Sequence, residues 1–480
     1  MAVLENLEPK SVFHFFEEMA SIPHGSGNIQ AVSDWLVAFA KERNLEVHRD
    51  KMMNVIIIKE ATPGYEKADP VIVQGHMDMV CETAPGCTKD MATEGLDLCV
   101  DGDIVYAKDT TLGGDDGIAV AMGLALLDDK ELQHPRLEVV ITVDEEIGLL
   151  GAADIDVSPL KGHTMINLDS EVEGVFTVSC AGGNATTCTL PVVRTPYAGT
   201  VLTVTLGGLI GGHSGAEINK GRGNSNILMG RALYAASKKA DLRLIHVAGG
   251  QKDNVIPRET KAVITTTDAE AVKAALLTVE QGLKTEYAVT DPDIFIKAEN
   301  GSADLVPMDA VSTKRAICML YCMPNGIEAM SADIAGLVQT SCNLGALNTS
   351  EKEITGKISV RSSMGSQKDM LSARIACLME QLSGKVEIAG DYPGWAYQHE
   401  SALRDLMTEV FKEQYGHEPK IEAIHAGLEC GMFVDKIDNL DCISLGPDLK
   451  EIHTCRETMS ISSVQRVWNM TVEVLRRMKK

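Results

Sequence analysis

Apolar residues along this chain follow two rhythms. From Ser11 to about Lys41 they recur at helical spacing, interrupted at Pro23-His24-Gly25, which predicts a broken helix. LEVHRD and NVIIIKE then read as a hairpin of strands. Three short runs follow without polar alternation: VIVQ (71–74), LEVVITV (137–143) and TMINL (164–168). Such runs suit strands covered on both faces. Between the first two, GIAVAMGLALLDD (117–129) is apolar at helical spacing. Strand, helix, strand in this order predicts a βαβ unit in an open α/β sheet.

The middle of the chain reads differently. A strand at 201–209, a helix at Asn224–Lys239, strands at 242–248 and 261–267 and a helix at 269–284 are expected. A strand at 357–363 and a helix at Asp369–Leu382 come later. The β-α-β-β-α-β order predicts a ferredoxin-like unit, with extra material around 286–350. After about Gly390 the α/β texture returns: a helix at Ser401–Tyr415, a strand at 441–445 and a helix at Val464–Lys479. The expected fold is an α/β mixed-sheet domain (1–187 and 391–480) interrupted by an inserted, enlarged ferredoxin-like α+β domain (188–390).

Length and charge narrow the roles. At 480 residues, two or three domains are expected. A net charge of −24 disfavours nucleic acid and anionic membrane surfaces as partners. The opening residues lack a basic segment followed by an apolar one, and no apolar run reaches the ~18 residues of a membrane span, so a cytoplasmic location is expected. The twelve cysteines form no C-x-x-C pair, the nearest being Cys318 and Cys322, and are read as small buried apolar residues.

The chemistry sits just past the apolar runs. Strand 71–74 leads into Gly75-His76-Met77-Asp78, strand 137–143 into Asp144-Glu145-Glu146, and strand 164–168 into Asp169. Strand 441–445 leads into Gly446-Pro447-Asp448 and then His453. Ligand sites of open α/β sheets lie beyond the carboxyl ends of the strands. A glycine-rich turn adds Asp115 and Asp116 at a helix start. Each residue alone has an ordinary structural explanation, a helix cap or a solvated turn. Their repeated placement after successive strands does not. Imidazoles and carboxylates without thiolate suit catalytic Zn²⁺, Co²⁺ or Mn²⁺. Two histidines with three carboxylates suit two ions sharing a carboxylate.

The segments GHMDM, TLGGDDG, TVDEEIG, INLDSE and GPDLKEIH resemble the M20 metallopeptidases. HAGLECG (425–431), GGHSGAEI (211–218) and CAGG (180–183) resemble its aminoacyl-histidine dipeptidase branch. The resemblance implies that His76 and Asp169 hold one ion, Glu146 and His453 the other, and that Asp115 bridges them. It also implies that Asp78 orients His76 and that Glu145 is the general base. From the inserted domain it implies His213 as oxyanion partner and Arg361 as the grip on the substrate carboxylate, with Asn224 there and His425 of the later segment in the substrate-binding wall. The activity implied is hydrolysis of dipeptides with free termini, Xaa-His among them, by a homodimer. Asp116 leaves open which aspartate bridges, and Cys455 stands two residues past His453 where many relatives have proline or another residue. Deacylation of N-acyl amino acids and tripeptide aminopeptidase activity are the alternatives within the family. A binding protein on a decayed scaffold would lack ligands or base, and none is missing.

Overall fold

Unbroken apolar strands take the centre of an eight-stranded sheet in a computed structural model that describes residues 3–479. The outermost bounds expected for the chain's domains, Met1 and Lys480, lie outside the described residues. The chain divides into two compact units, one of Met1–Ser179, Tyr397–Ala423 and Leu428–Lys480, the other of Cys180–Ala396 and Ile424–Gly427. Among the described residues no helix is long and apolar enough to cross a membrane.

In the first unit the strand order is Glu46–Arg49, Val55–Lys59, Leu137–Thr142, Val71–His76, Thr164–Asn167, Asp441–Ser444, Val175–Cys180 and Lys420–Ile424. Strands Leu137–Thr142, Val71–His76, Thr164–Asn167 and Asp441–Ser444 are adjacent and mutually parallel, so their carboxyl ends share one edge. The first two are buried at every residue, as continuous Val/Ile runs require. The expected hairpin forms, with Val47 opposite Ile57. Helix Gly114–Asp128 connects the two central strands and is apolar all round. It lies close to its strand at Gly75, where a methyl group would stand 2.5 Å from both the Ala119 Cβ and Asp116 Oδ2.

A second, four-stranded sheet decides where the last candidate ligand goes. Leu449–Lys450 pairs with Thr458–Ser460, which pairs with Ile104–Ala107, which pairs with Leu98–Asp101. Residues 451–457 are therefore a hairpin loop, with His453 and Glu457 on it.

The second unit is more regular than its sequence suggests. Its sheet runs Phe295–Asn300, Thr200–Gly207, Thr260–Thr266, Leu242–Gly249, Val338–Thr349, Glu353–Ser362, Gly182–Pro191, Lys385–Tyr392, with Gly326–Met330 paired to Val338–Thr349. The β-α-β-β-α-β set is complete within Thr200–Asn300, through helices Ser225–Ser237 and Ala269–Glu286. What looked like extra material belongs to a second such set. This consists of Gly182–Pro191, helix Ala310–Cys322, Val338–Thr349, Glu353–Ser362, helix Gly365–Gln381 and Lys385–Tyr392, in the same spatial order. The first set is nested between the first strand and first helix of the second. Within that sheet the two sets join through one ladder pair, Gly249 with Leu347, supported by the Thr349 hydroxyl on both backbone groups of Val247. One apolar core runs through both sets.

Candidate active site

His76 ends its strand and Asp169 follows its own by two residues, so adjacent parallel strands bring them together: His76 Nε2 lies 3.7 Å from Asp169 Oδ1. The turn after Leu137–Thr142 supplies Glu145 and Glu146. Asp144 there has φ 52°, a left-handed conformation that turns the chain sharply. Asp78 fixes this turn. Its Oδ1 accepts the Glu145 N–H at 3.0 Å, and its Oδ2 accepts the Glu146 N–H at 3.4 Å and the Ser26 hydroxyl at 2.8 Å. The expected Asp78–His76 contact takes a different form. His76 Nδ1–H donates to the Asp78 backbone carbonyl at 2.9 Å, while the carboxylate stands at 3.5 Å. Either way Nδ1 carries the proton and Nε2 faces the cluster as a free donor of electrons.

Asp115 lies between the two histidines. Its Oδ1 is 3.2 Å from His76 Nε2 and its Oδ2 is 3.1 Å from His453 Nε2. Asp115 and Asp116 have non-helical dihedrals at the mouth of their helix, and their side chains diverge. Asp116 is buried and accepts the His76 N–H at 3.2 Å. Glu146 Oε1 lies 2.9 Å from His453 Nε2 yet has no hydrogen-bond partner. His453 itself has φ 59°, a strained conformation that for a non-glycine residue costs about 1–3 kcal/mol.

These groups form three sets whose ligand atoms all lie within 4.8 Å of one another: His76, Asp116 and Asp169; His76, Glu145 and Glu146; Asp115, Glu146 and His453. Carboxylates outnumber imidazoles, and the charge shows it. Burial, reinforced by Asp115 and Glu146, raises the Asp169 carboxyl to about 6. Burial raises Glu145 to about 9 against the pull of His76, with Asp169, Glu429 and Glu146 adding to the rise. Burial and the nearby carboxylates raise Glu171 to about 7. The Asp115 and Glu146 contacts raise His453 to about 10. Burial works against ionising Asp115, yet His453 and His76 hold it below the usual range. A buried acidic cluster short of positive charge takes up protons where a cation would sit. With imidazole and carboxylate donors and an unpartnered Glu146 oxygen, these residues fit divalent cations.

The second unit gathers three of the other expected residues. His213 Nδ1 accepts the N–H groups of Gly215 and Ala216 at 3.2 and 3.1 Å, which leaves the proton on Nε2 as a donor. Burial and the Arg361 charge lower its pKa, keeping it neutral. His425 Nε2 meets the Ser341 hydroxyl at 2.7 Å, and burial with Arg361 and His213 lowers it to about 4. Arg361 has a buried Nε without a partner, and its Nη1 reaches the Tyr392 hydroxyl at 3.3 Å. Asn224 departs from expectation. Its oxygen caps helix Ser225–Ser237 through Asn226 and Ile227, and its amino group donates to Asn325, Asn343 and Leu344. Every hydrogen-bonding atom of that side chain is engaged, so binding a substrate would cost it existing bonds.

One buried carboxylate, Glu457, passed unnoticed in the sequence. It accepts four backbone N–H groups of the Asp115 turn. Its position four residues past His453 was the available signal. Glu429 is fully buried, accepting from Gln74 and Thr142 at 2.6 Å each.

Comparison with known proteins shows the family. The "Cytosol non-specific dipeptidase" of Escherichia coli (strain K12) is 35% identical over 480 residues, 99% of each chain. The crystal structure of aminoacylhistidine dipeptidase from Vibrio alginolyticus superposes with a TM-score of 0.95 at 35% identity, covering 99% of this chain and 98% of that one. An aminopeptidase from Bacillus cereus shares the fold alone, at a TM-score of 0.57 and 15% identity over 99% of this chain and all of that one. The profile of peptidase family M20/M25/M40 matches residues 72–477, and the chain belongs to that family.

Proposed function

We propose that this member of a divalent-metal-dependent family hydrolyses the peptide bond of dipeptides with free termini, Xaa-His among them. The observation that carries the reading is Asp115, with one oxygen toward His76 and the other toward His453. That is the arrangement two ions sharing a carboxylate require. His76 and Asp169 would hold one ion and Glu146 and His453 the other, zinc by donor type, with cobalt or manganese tolerated. Such ions supply Lewis-acid polarisation of the scissile carbonyl and a water that ionises near neutral pH.

The remaining chemistry belongs to side chains. Glu145 takes the proton of the attacking water and returns it to the leaving amine. Its carboxyl stands high without cations. Positive charge among its neighbours would draw it down toward the ionised form a base needs. Asp78 keeps Glu145 and Glu146 in their separate roles by holding both backbone N–H groups. In the second unit, His213 is assigned the developing oxyanion, supported by its neutral Nε2–H tautomer. Arg361 is assigned the free carboxylate, supported by its unpartnered Nε. His425 is assigned to the substrate wall. That the two similar proteins are dipeptidases supports the substrate class. A cytoplasmic location and a homodimer belong to the same reading.

A panel of free and N-acetylated dipeptides, with tripeptides beside them, tests it. Turnover of free dipeptides is expected. Turnover confined to acylated substrates would make the protein a deacylase, and confined to tripeptides an aminopeptidase of another kind.

A further inference from the structure

We infer that Glu457 is a positioning residue for the candidate metal centre, joining the Asp115 turn to the His453 hairpin through one carboxylate. The inference rests on the reading of Asp115 and His453 as metal ligands. Glu457 is only 2% exposed. Its Oε2 accepts the N–H groups of Leu112 and Gly113 at 2.9 and 3.1 Å, and its Oε1 those of Gly114 and Asp115 at 2.8 and 3.2 Å. These donors open helix Gly114–Asp128, whose N-cap residue, Gly113, offers no side-chain cap. The first N–H groups of a helix have no partner within it and attract negative charge. A residue distant in sequence supplies that charge here.

The glycines make room for it. Gly113 has φ +67°, and a methyl on Gly114 would stand 3.1 Å from Glu457 Oε1. The two segments also share a foundation. Strand Thr458–Ser460, directly after Glu457, pairs with Ile104–Ala107, the strand that leads into the Asp115 turn. The hairpin loop that ends at Glu457 carries His453. One carboxylate thus sets the distance between two candidate ligands that strand pairing alone leaves to loops. Neither residue is on the parallel strands that place His76 and Asp169.

All four partners of Glu457 are donors, so both oxygens must accept. An amide replaces one acceptor with a donor and sets it against two N–H groups. Glu457→Gln should therefore displace Asp115 while keeping shape and volume. Partners that orient metal ligands typically cost about 10–100-fold in affinity or activity when removed.

The test measures Zn²⁺ binding to the metal-stripped full chain by calorimetry, for the wild type, E457Q and E457D, together with melting of the stripped proteins and kcat and KM of the reloaded ones. The expected result is a 10–100-fold loss of affinity for at least one ion in E457Q. A fall in kcat larger than the change in KM should accompany it, with partial recovery at higher Zn²⁺. E457D, which keeps the charge on a shorter stem, should recover part of the affinity. If E457Q lowers the melting temperature yet binds Zn²⁺ as the wild type does, Glu457 only caps a helix and the inference is wrong. Should E457Q not fold, unaltered affinity in E457D would overturn it equally. A wild type that binds no Zn²⁺ overturns the metal reading and this inference together. Binding by the wild type with an unaffected E457Q overturns this inference alone.

Discussion

Glu145 and Glu146 are neighbours in the chain with unlike surroundings. Glu146 meets His453 at 2.9 Å, whereas burial leaves Glu145 with a raised carboxyl. Glu145→Gln should therefore lower kcat by roughly a hundred- to ten-thousandfold. Metal content, read by elemental analysis, should stay as in the wild type. A variant that turns over normally would remove Glu145 from the base role. His425 gives a different residue-level expectation, in stability. Burial lowers its pKa in the folded chain to about 4, below the ordinary imidazole value of 6.5. The unfolded chain therefore binds the extra proton first as pH falls. Stability is full above about 6.5 and is lost on the way down to about 4, by about 2 kcal/mol between pH 7 and pH 5. Denaturant melts of the wild type and His425→Asn at both pH values should show a flatter response in the variant. The strand-end residues His76, Glu146 and Asp169 were legible because their runs are apolar without alternation, which fixes where each strand stops. Glu457 was not, because its partners are backbone N–H groups that leave no mark on residue type. Asn224 misled for the opposite reason. Its side chain is a helix cap, and a cap and a polar pocket residue look alike in sequence.

At the level of elements, the helix after the first central strand is where chemistry and packing meet. Its first residues turn Asp115 toward the histidines and Asp116 inward, and its body lies against Gly75. Gly75→Ala would place a methyl 2.5 Å from Ala119 and Asp116. Overpacking of this kind costs about 1–3 kcal/mol. Urea unfolding should show that loss, with a fall in kcat from the displaced aspartates. Normal stability would mean that the helix backs away freely. The expected elements in this unit form with small shifts at their ends, since continuous apolar runs and helical spacing are strong local signals. The second unit was half legible. Gly182–Pro191 buries two glycines, Asn184 and Thr186 and gives only Cys188 and Leu190 to the apolar core, so it carries little apolar signal. Without that strand the second β-α-β-β-α-β set has no beginning, and its remaining pieces read as additions to the first.

For the whole molecule, metal should contribute to stability as well as to turnover, because the cluster is assembled only in the folded chain. Ion at a thousand times its dissociation constant stabilises by about 4 kcal/mol. Chelation should lower the melting temperature and abolish activity, and re-addition should restore both. Loss of activity with no change in melting would mean that the ions add nothing to folding. The nesting of one set inside the other has a consequence for synthesis. Strand Gly182–Pro191 leaves the ribosome before its ladder partners Glu353–Ser362 and Lys385–Tyr392 exist. At translation speeds of about 5–20 residues per second, it waits on the order of ten seconds. During that interval residues 200–300 have everything they need to close among themselves. The nascent chain thus completes the guest before the host, and the strand that starts the host is the one that must be kept from pairing elsewhere.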